Sequence, residues 1–182
     1  MALRGARKPV NDAAALYDRA VAALARRGRS RTEMERWLRA RGAAAAPIRE
    51  VLTRLEEHGY LDDRRFAESF AAHEKEAQNL GAARVRRDLR RRGVAAALTE
   101  TAVTEVFAGE REEDLIAAFL RRKRSSRPQN LGEAARLFRR LWQAGFSPPA
   151  IHAALRRWRV NPEWLEELAA AEWEANEPDS VS

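Results

Sequence analysis

The sequence predicts an all-α protein made of three tandem three-helix repeats in an elongated, curved array. Three observations carry that prediction. First, Leu38-Arg-Ala-Arg-Gly42 recurs as Leu89-Arg-Arg-Arg-Gly93 and again as Leu141-Trp-Gln-Ala-Gly145, with the glycines 51 and then 52 residues apart. The copies stay in step past the glycine: Leu52, Val103 and Leu155 stand ten positions on, and Leu55, Val106 and Trp158 thirteen on. A period of about fifty residues marks stacked copies of one supersecondary unit. Second, apolar residues return at three- and four-residue spacing along almost the whole chain. Third, strand signals are nearly absent.

The first repeat, residues 12–58, opens with the stripe Leu16, Tyr17, Ala20, Val21 and Leu24. Ser30-x-x-Glu33 is a capping box, in which the serine oxygen and the glutamate each satisfy a free backbone N–H. Met34, Trp37 and Leu38 continue that second helix. Gly42 stands where a helix ends in a left-handed residue. Pro47 fits the first turn of the third helix, whose stripe is Ile48, Val51, Leu52 and Leu55.

The second repeat, residues 59–108, follows His58-Gly-Tyr-Leu-Asp-Asp63. Asp62 or Asp63 caps the helix that carries Phe66, Ala67 and Phe70. Val85 and Leu89 face inward on the middle helix, and Leu98, Ala102, Val103, Val106 and Phe107 form the last stripe. The third repeat, residues 109–160, contributes Leu115, Ile116, Phe119 and Leu120, then Leu137, Phe138 and Leu141. Ser147-Pro148 starts its last helix, with Ile151, Leu155 and Trp158 inward. Asn161-Pro162 starts one more helix, carrying Trp164, Leu165 and Leu168, within an extension over 161–182. Its acidic remainder is expected to fray after Trp173.

Composition narrows the function. The 182 residues contain no cysteine, which removes disulfides, thiolate nucleophiles and cysteine-based zinc sites together. No segment reaches the roughly 18–20 uninterrupted apolar residues of a membrane span. Met1 to Val10 is basic without an apolar core, unlike a secretory signal. These features point to a soluble cytoplasmic protein. The net charge of +7 is unevenly spread: residues 161–182 hold seven acids and no Lys or Arg, so the preceding 160 residues carry a net +14. A basic body of that kind favours a polyanionic partner, nucleic acid above all.

No catalytic constellation is present, and neither a cofactor nor a metal is called for. His58, His73 and His152 fall in three different repeats and read as helix-end or surface residues. Asp62-Asp63 reads as a cap rather than a metal pair. Glycine-rich phosphate loops are missing. The basic runs are the stronger signal. Arg84, Arg86, Arg87, Arg90, Arg91 and Arg92 crowd nine residues around Val85, Asp88 and Leu89. At 100° per residue, Arg84, Arg87 and Arg91 share one outward stripe, and Arg86 and Arg90 another. Neighbouring like charges on a helix cost a few tenths of a kcal/mol each, so such a run suits a partner of opposite charge. Arg121, Arg122, Lys123, Arg124 and Arg127 form a second cluster at a helix end, where the helix dipole also favours cations. Arg136, Arg139 and Arg140 form a third group, and Arg156, Arg157 and Arg159 a fourth. Contacts from these groups would go to phosphates or acidic protein, since no base-reading motif accompanies them.

Tyr60-Leu-Asp-Asp-Arg-Arg-Phe-Ala67 resembles the hallmark segment of RecX, the bacterial regulator of the RecA recombinase. Gly81-x-x-Arg-Val-x-x-Asp-Leu-x-x-x-Gly-Val94 is similar to the motif that follows it in that family. The stretch from Ala14 to Leu38 matches as well, and the resemblance covers roughly residues 13–158. It implies three tandem three-helix repeats, and it makes Leu61, Asp62, Asp63, Phe66, Ala67, Gly81, Leu89 and Gly93 motif positions of mainly structural use. It also implies a non-enzymatic regulator; a monomer is expected, with no membrane among its partners. Such a protein binds the RecA–single-stranded DNA filament by groove binding or end capping and suppresses recombination, ATPase and coprotease activity. DNA would be bound weakly or through the filament. Two features depart from the family pattern: Ala71-Ala-His-Glu-Lys75 after Phe70, and the acidic tail. The rival expectation is a helical repeat protein that binds nucleic acid directly, without RecA.

Overall fold

The computed structural model describes residues 12–176, with side chains through residue 170. The opening basic segment and the acidic positions past Asn176 lie outside the described residues. Ten helices and no strand are found among the described residues: α1 (Ala13–Arg26), α2 (Arg31–Arg39), α3 (Ala45–Glu57), α4 (Asp63–Glu76), α5 (Ala82–Arg91), α6 (Ala96–Phe107), α7 (Glu112–Arg122), α8 (Leu131–Gln143), α9 (Pro148–Arg157) and α10 (Pro162–Asn176). The last helix runs past Trp173 to Asn176, three residues beyond the point at which the acidic sequence predicts fraying. The alanines at 169–171 and 175 favour its continuation. None of the described helices is long and apolar enough to cross a membrane.

The repeated Leu-x-x-x-Gly segment is one turn built three times. Gly42, Gly93 and Gly145 have φ of 82°, 84° and 94°. In each copy the residue after the glycine donates its N–H to the leucine carbonyl five positions back: Ala43 to Leu38 at 3.4 Å, Val94 to Leu89 at 3.2 Å and Phe146 to Leu141 at 3.3 Å. The glycine N–H reaches the carbonyl three positions back, on Arg39, Arg90 and Trp142. This double bond pattern closes a helix only when the glycine position is left-handed. Leu38, Leu89 and Leu141 are all fully buried, so each turn also fixes a core residue.

Contacts divide the chain into two compact units, one comprising the chain up to Ala71 with Arg86–Val106, the other Ala72–Val85 with Phe107 onward. In the first, the core is Leu16, Ala20, Met34, Leu38, Ile48, Val51, Leu52, Leu55 and Leu61, drawn from α1–α3 and the start of the next segment. Asp12 caps α1 through the N–H groups of Ala14 and Ala15. The capping box of α2 is present as read. Ser30 does more than cap: it is fully buried and its hydroxyl donates to the Arg92 carbonyl at 2.6 Å. Thr32 Oγ1 donates to the Gly93 carbonyl at 3.1 Å, which ties the start of α2 to the end of α5. Thr32 comes so close that a Cβ on Gly93 would lie 2.5 Å from its side chain. On α6, Thr99, Ala102 and Val103 are buried while Leu98 is only half-buried. The threonine, with its methyl group, thus occupies the inward position expected for Leu98.

In the second unit the core is built from α7, α8, α9 and α10, with Ile116, Phe119, Leu120, Phe138, Leu141, Phe146, Ile151, Leu155 and Leu165 buried. Ser147 caps α9 by accepting from the Ala150 N–H, with proline in the first turn, and its hydroxyl donates to Glu112. Gly81 and Gly145 touch backbone to backbone. Gly81 donates to the Ala144 carbonyl at 2.9 Å, and a Cβ on Gly81 would sit 2.2 Å from the Gly145 oxygen. No side chain fits there.

Candidate functional site

The α5 arginines project around a helix held by two buried residues, Val85 and Leu89, both 0% exposed. Arg87, Arg90 and Arg91 are exposed, and Arg84, Arg86 and Arg92 half-buried. The like-charge run is compensated in part by three carboxylates, two from elsewhere in the chain and one from α5 itself. Arg86 Nε donates to Glu100 Oε2 at 2.8 Å and Arg90 Nη2 to Glu100 Oε1 at 2.6 Å, so one α6 glutamate bridges two α5 arginines. Arg92 donates to Glu33 at 2.7 Å and lies 4.6 Å over the Phe70 ring. Arg91 pairs with Asp88 at 3.0 Å, and Asp88 is itself buried. Arg84 Nη1 reaches the Gln143 carbonyl at 3.4 Å. The hydrogen bond from Arg86, followed by the charges of Arg86 and Arg90, holds the Glu100 carboxyl below its ordinary range.

The cluster at the end of α7 is different. The side chains of Arg121 and Arg124 make no hydrogen bond or ion pair among the described residues. Lys123 lies 5.9 Å over the Phe119 ring. Arg122 is the engaged member, donating to the Ala77 carbonyl and, at 2.8 Å, to Gln78 Oε1. Arg124 has a left-handed φ of 47°, and it turns the chain into the link that returns to α8. The link is fastened by Arg140 donating to Ser125 Oγ and by Arg127 donating to the Arg159 carbonyl. Between link and α8 lies a concavity of about 410 Å³, lined among others by Lys123, Arg124, Ser125, Ser126, Arg136 and Arg140. Arg136 and Arg140 belong to the third basic group of the sequence. In the fourth group Arg156, Arg157 and Arg159 are exposed, with Arg157 3.9 Å from Asp114.

The motif residues serve the fold. Asp62 caps α4 by accepting from the Arg65 N–H at 3.0 Å. Asp63 turns back and accepts from the Arg31 N–H at 2.7 Å, at the start of α2. Burial, more than the neighbouring Glu56 and Asp62 charges, pushes the Asp63 carboxyl above its ordinary range despite that bond. Leu61 and Ala67 are buried, and Phe66 stacks on Phe70 with ring centroids 6.0 Å apart. His58 ends α3 and bonds the Tyr17 hydroxyl at 2.6 Å. His73 is exposed, and His152 lies against Phe138 with centroids 5.3 Å apart. Among the described residues, no three histidine or carboxylate side chains gather as a metal site would require.

Two family models match: the first three-helix domain of RecX over residues 17–55, and the second over residues 62–103. Regulatory protein RecX of Pseudomonas putida is 38% identical over 125 residues, which cover 68% of this chain and 78% of that one. The chain belongs to the RecX family. Regulatory protein RecX of Geobacillus kaustophilus is 34% identical over 144 residues, covering 76% of this chain and 52% of that longer relative. The crystal structure of RecX from Lactobacillus salivarius shares the fold, with a TM-score of 0.66 at 20% identity over 80% of this chain and 96% of that one. The second RecX domain match spans Asp62, Asp63, Phe66, Ala67, Gly81, Leu89 and Gly93, so it falls on the segment whose residues cap, pack and turn the chain.

Proposed function

We propose that this chain is a non-enzymatic regulator that binds RecA–single-stranded DNA filaments and inhibits their recombinase, ATPase and coprotease activities, by groove binding or end capping. The observation that carries the reading is its 38% identity to a protein named for regulation, over 78% of that protein's length. Two surfaces are offered for contact: the outer face of α5, with Arg84, Arg86, Arg87, Arg90 and Arg91, and the α7 terminus, with Arg121, Arg122, Lys123 and Arg124. The second is favoured. Arg121 and Arg124 carry no internal partner among the described residues, so their charge is available to acidic protein or to phosphates without breaking an existing pair. On α5, Arg86, Arg90 and Arg91 would first have to leave Glu100 and Asp88. The protein is taken to work in the cytoplasm as a monomer, with single-stranded DNA met weakly or through the filament. The test is the ATPase rate of RecA on single-stranded DNA with the protein titrated in. A concentration-dependent fall supports the reading, and an unchanged rate at saturating protein overturns it.

A further inference from the structure

The concavity between the α7–α8 link and α8 has a composition that contact with an internal nucleic-acid backbone does not require. Four cationic side chains, Lys123, Arg124, Arg136 and Arg140, line one space of about 410 Å³. The hydroxyl-bearing residues Ser125 and Ser126 line it too. One of these is already oriented, since Arg140 donates to Ser125 Oγ and so leaves the Ser125 hydroxyl hydrogen to be given to something else. The one opposing charge in the lining is Glu133, whose hydrogen bonds to neutral donors hold it in place without cancelling its charge, so the four cations outweigh it by three. Its carboxylate accepts from the Gln129 N–H at 2.8 Å and from the Asn130 amide at 3.2 Å, closing the start of α8. Arg136 and Arg124 have no hydrogen bond or ion pair from their side chains among the described residues.

A phosphodiester brings one negative charge and two free oxygens. A terminal phosphate brings about −1.5 to −2 and three strong acceptor oxygens. Cations gathered in one concavity, rather than spread along a track, match the second far better than the first. Arginine favours phosphate for a further reason, its planar fork of donors.

We propose that this pocket is a binding site for a terminal phosphate group, carried either by a free nucleotide or by the 5′-phosphorylated end of a nucleic-acid strand. The site shares Lys123 and Arg124 with the surface favoured above, but it needs no recombinase, so an assay without recombinase tests it apart from that reading. Lys123 and Arg124 neutralise the group from the end of α7, Arg136 and Arg140 grip it from one face of α8, and the serine hydroxyls complete the set of donors. The two sources share one chemistry, and free nucleotide differs from a strand end in whether it binds alone.

The experiment uses the full chain, without recombinase, at about 150 mM salt. Fluorescence anisotropy compares a 3′-labelled eight-residue thymidine oligonucleotide bearing a 5′-phosphate with the same oligonucleotide bearing a 5′-hydroxyl. Tripolyphosphate, ATP and an octa-aspartate peptide serve as competitors. The proposal expects the phosphorylated strand to bind at least about fivefold more tightly and tripolyphosphate to compete with it. Displacement by ATP identifies free nucleotide as a source, and failure of ATP with retained end preference identifies the strand end. The double variant Arg136→Gln with Arg140→Gln should lose the preference with an unchanged circular dichroism spectrum, whereas Arg49→Gln on α3 should keep it. Should the double variant fail to fold, Arg124→Gln alone should still reduce the preference by half or more. Equal affinity for the two oligonucleotides, an end preference that survives in the folded variants, or competition by octa-aspartate as strong as that by tripolyphosphate would each overturn it.

Discussion

Two arginine-rich stretches that look alike in the sequence are put to different use by the fold. On α5, the crowded guanidinium groups meet Glu100, Glu33 and Asp88. At the end of α7 and along the link to α8, Arg121 and Arg124 meet no carboxylate among the described residues, and Arg122 is satisfied by carbonyl oxygens that leave its charge in place. The difference teaches that local charge density is a poor guide to a binding surface. What counts is the charge left after the chain has folded its own acids back onto the run. Exposed pairs are worth only about 0–1 kcal/mol each to stability, but they still compete with a partner for the same donor.

The comparison can be broken at its base by showing that α5 is turned the wrong way. Leu89 is fully buried, and its carbonyl accepts the turn-closing bond from Val94. Leu89→Ala should therefore cost about 2–5 kcal/mol in denaturant unfolding. A loss below about 0.5 kcal/mol would mean that the arginines assigned outward do not face that way, and the pairing with Glu100 would fall with it.

A smaller effect sharpens the claim that Glu100 holds two arginines. Its carboxyl is held below the ordinary range, chiefly by the Arg86 hydrogen bond. Such a group adds stability that is present above the ordinary carboxylate value, about 4.3, and is lost as pH falls through the lowered one. Glu100→Gln should lower the melting temperature at pH 7 by a few degrees at most and flatten the wild type's decline in acid. Added salt should narrow the gap between the two proteins. Identical melting curves at pH 7 and low salt would show that the bridge contributes nothing.

The smallest effect has the opposite sign. The Asp63 carboxyl is pushed up by burial, so the fold favours its neutral form. Its contribution is complete below the ordinary value and is lost as pH rises through the raised one. Asp63→Asn keeps an oxygen for the Arg31 N–H. The variant should match the wild type near pH 3 and melt slightly higher by pH 6. A variant that melts lower throughout would show that the negative charge itself helps α2.

Most of the fold was legible because the interactions that write it are local. The capping box at Ser30 and Glu33, the Ser147-Pro148 start and the left-handed glycines all act within about five residues, and pattern reading reaches that far. Leu38, Leu89 and Leu141 could be placed in the core from their distance to those glycines alone. The candidate surfaces were legible only as lists of cations. Glu33 reaches Arg92 across 59 positions and Glu100 reaches Arg86 across 14, and nothing in the residues between announces either contact. Asp63 reads as a helix cap and is one, but for α2 rather than for its own helix, through a bond spanning 32 positions. The pocket beside α8 depends on the link folding back so that Arg140 meets Ser125, which the link's Ser and Pro content does not specify.

The most direct measurement sets the two stretches against each other in one assay. RecA ATPase on single-stranded DNA is titrated with the wild type, with an Arg121→Glu, Lys123→Glu, Arg124→Glu variant, and with an Arg84→Glu, Arg87→Glu, Arg91→Glu variant, each first shown to be folded. Charge reversal turns attraction into repulsion wherever a contact exists. The α7 variant should need well over ten times more protein for half-inhibition, and the α5 variant should shift by clearly less. A greater loss in the α5 variant, with the α7 variant inhibiting like the wild type, would contradict the assignment and show that internally paired arginines are the ones that meet the filament.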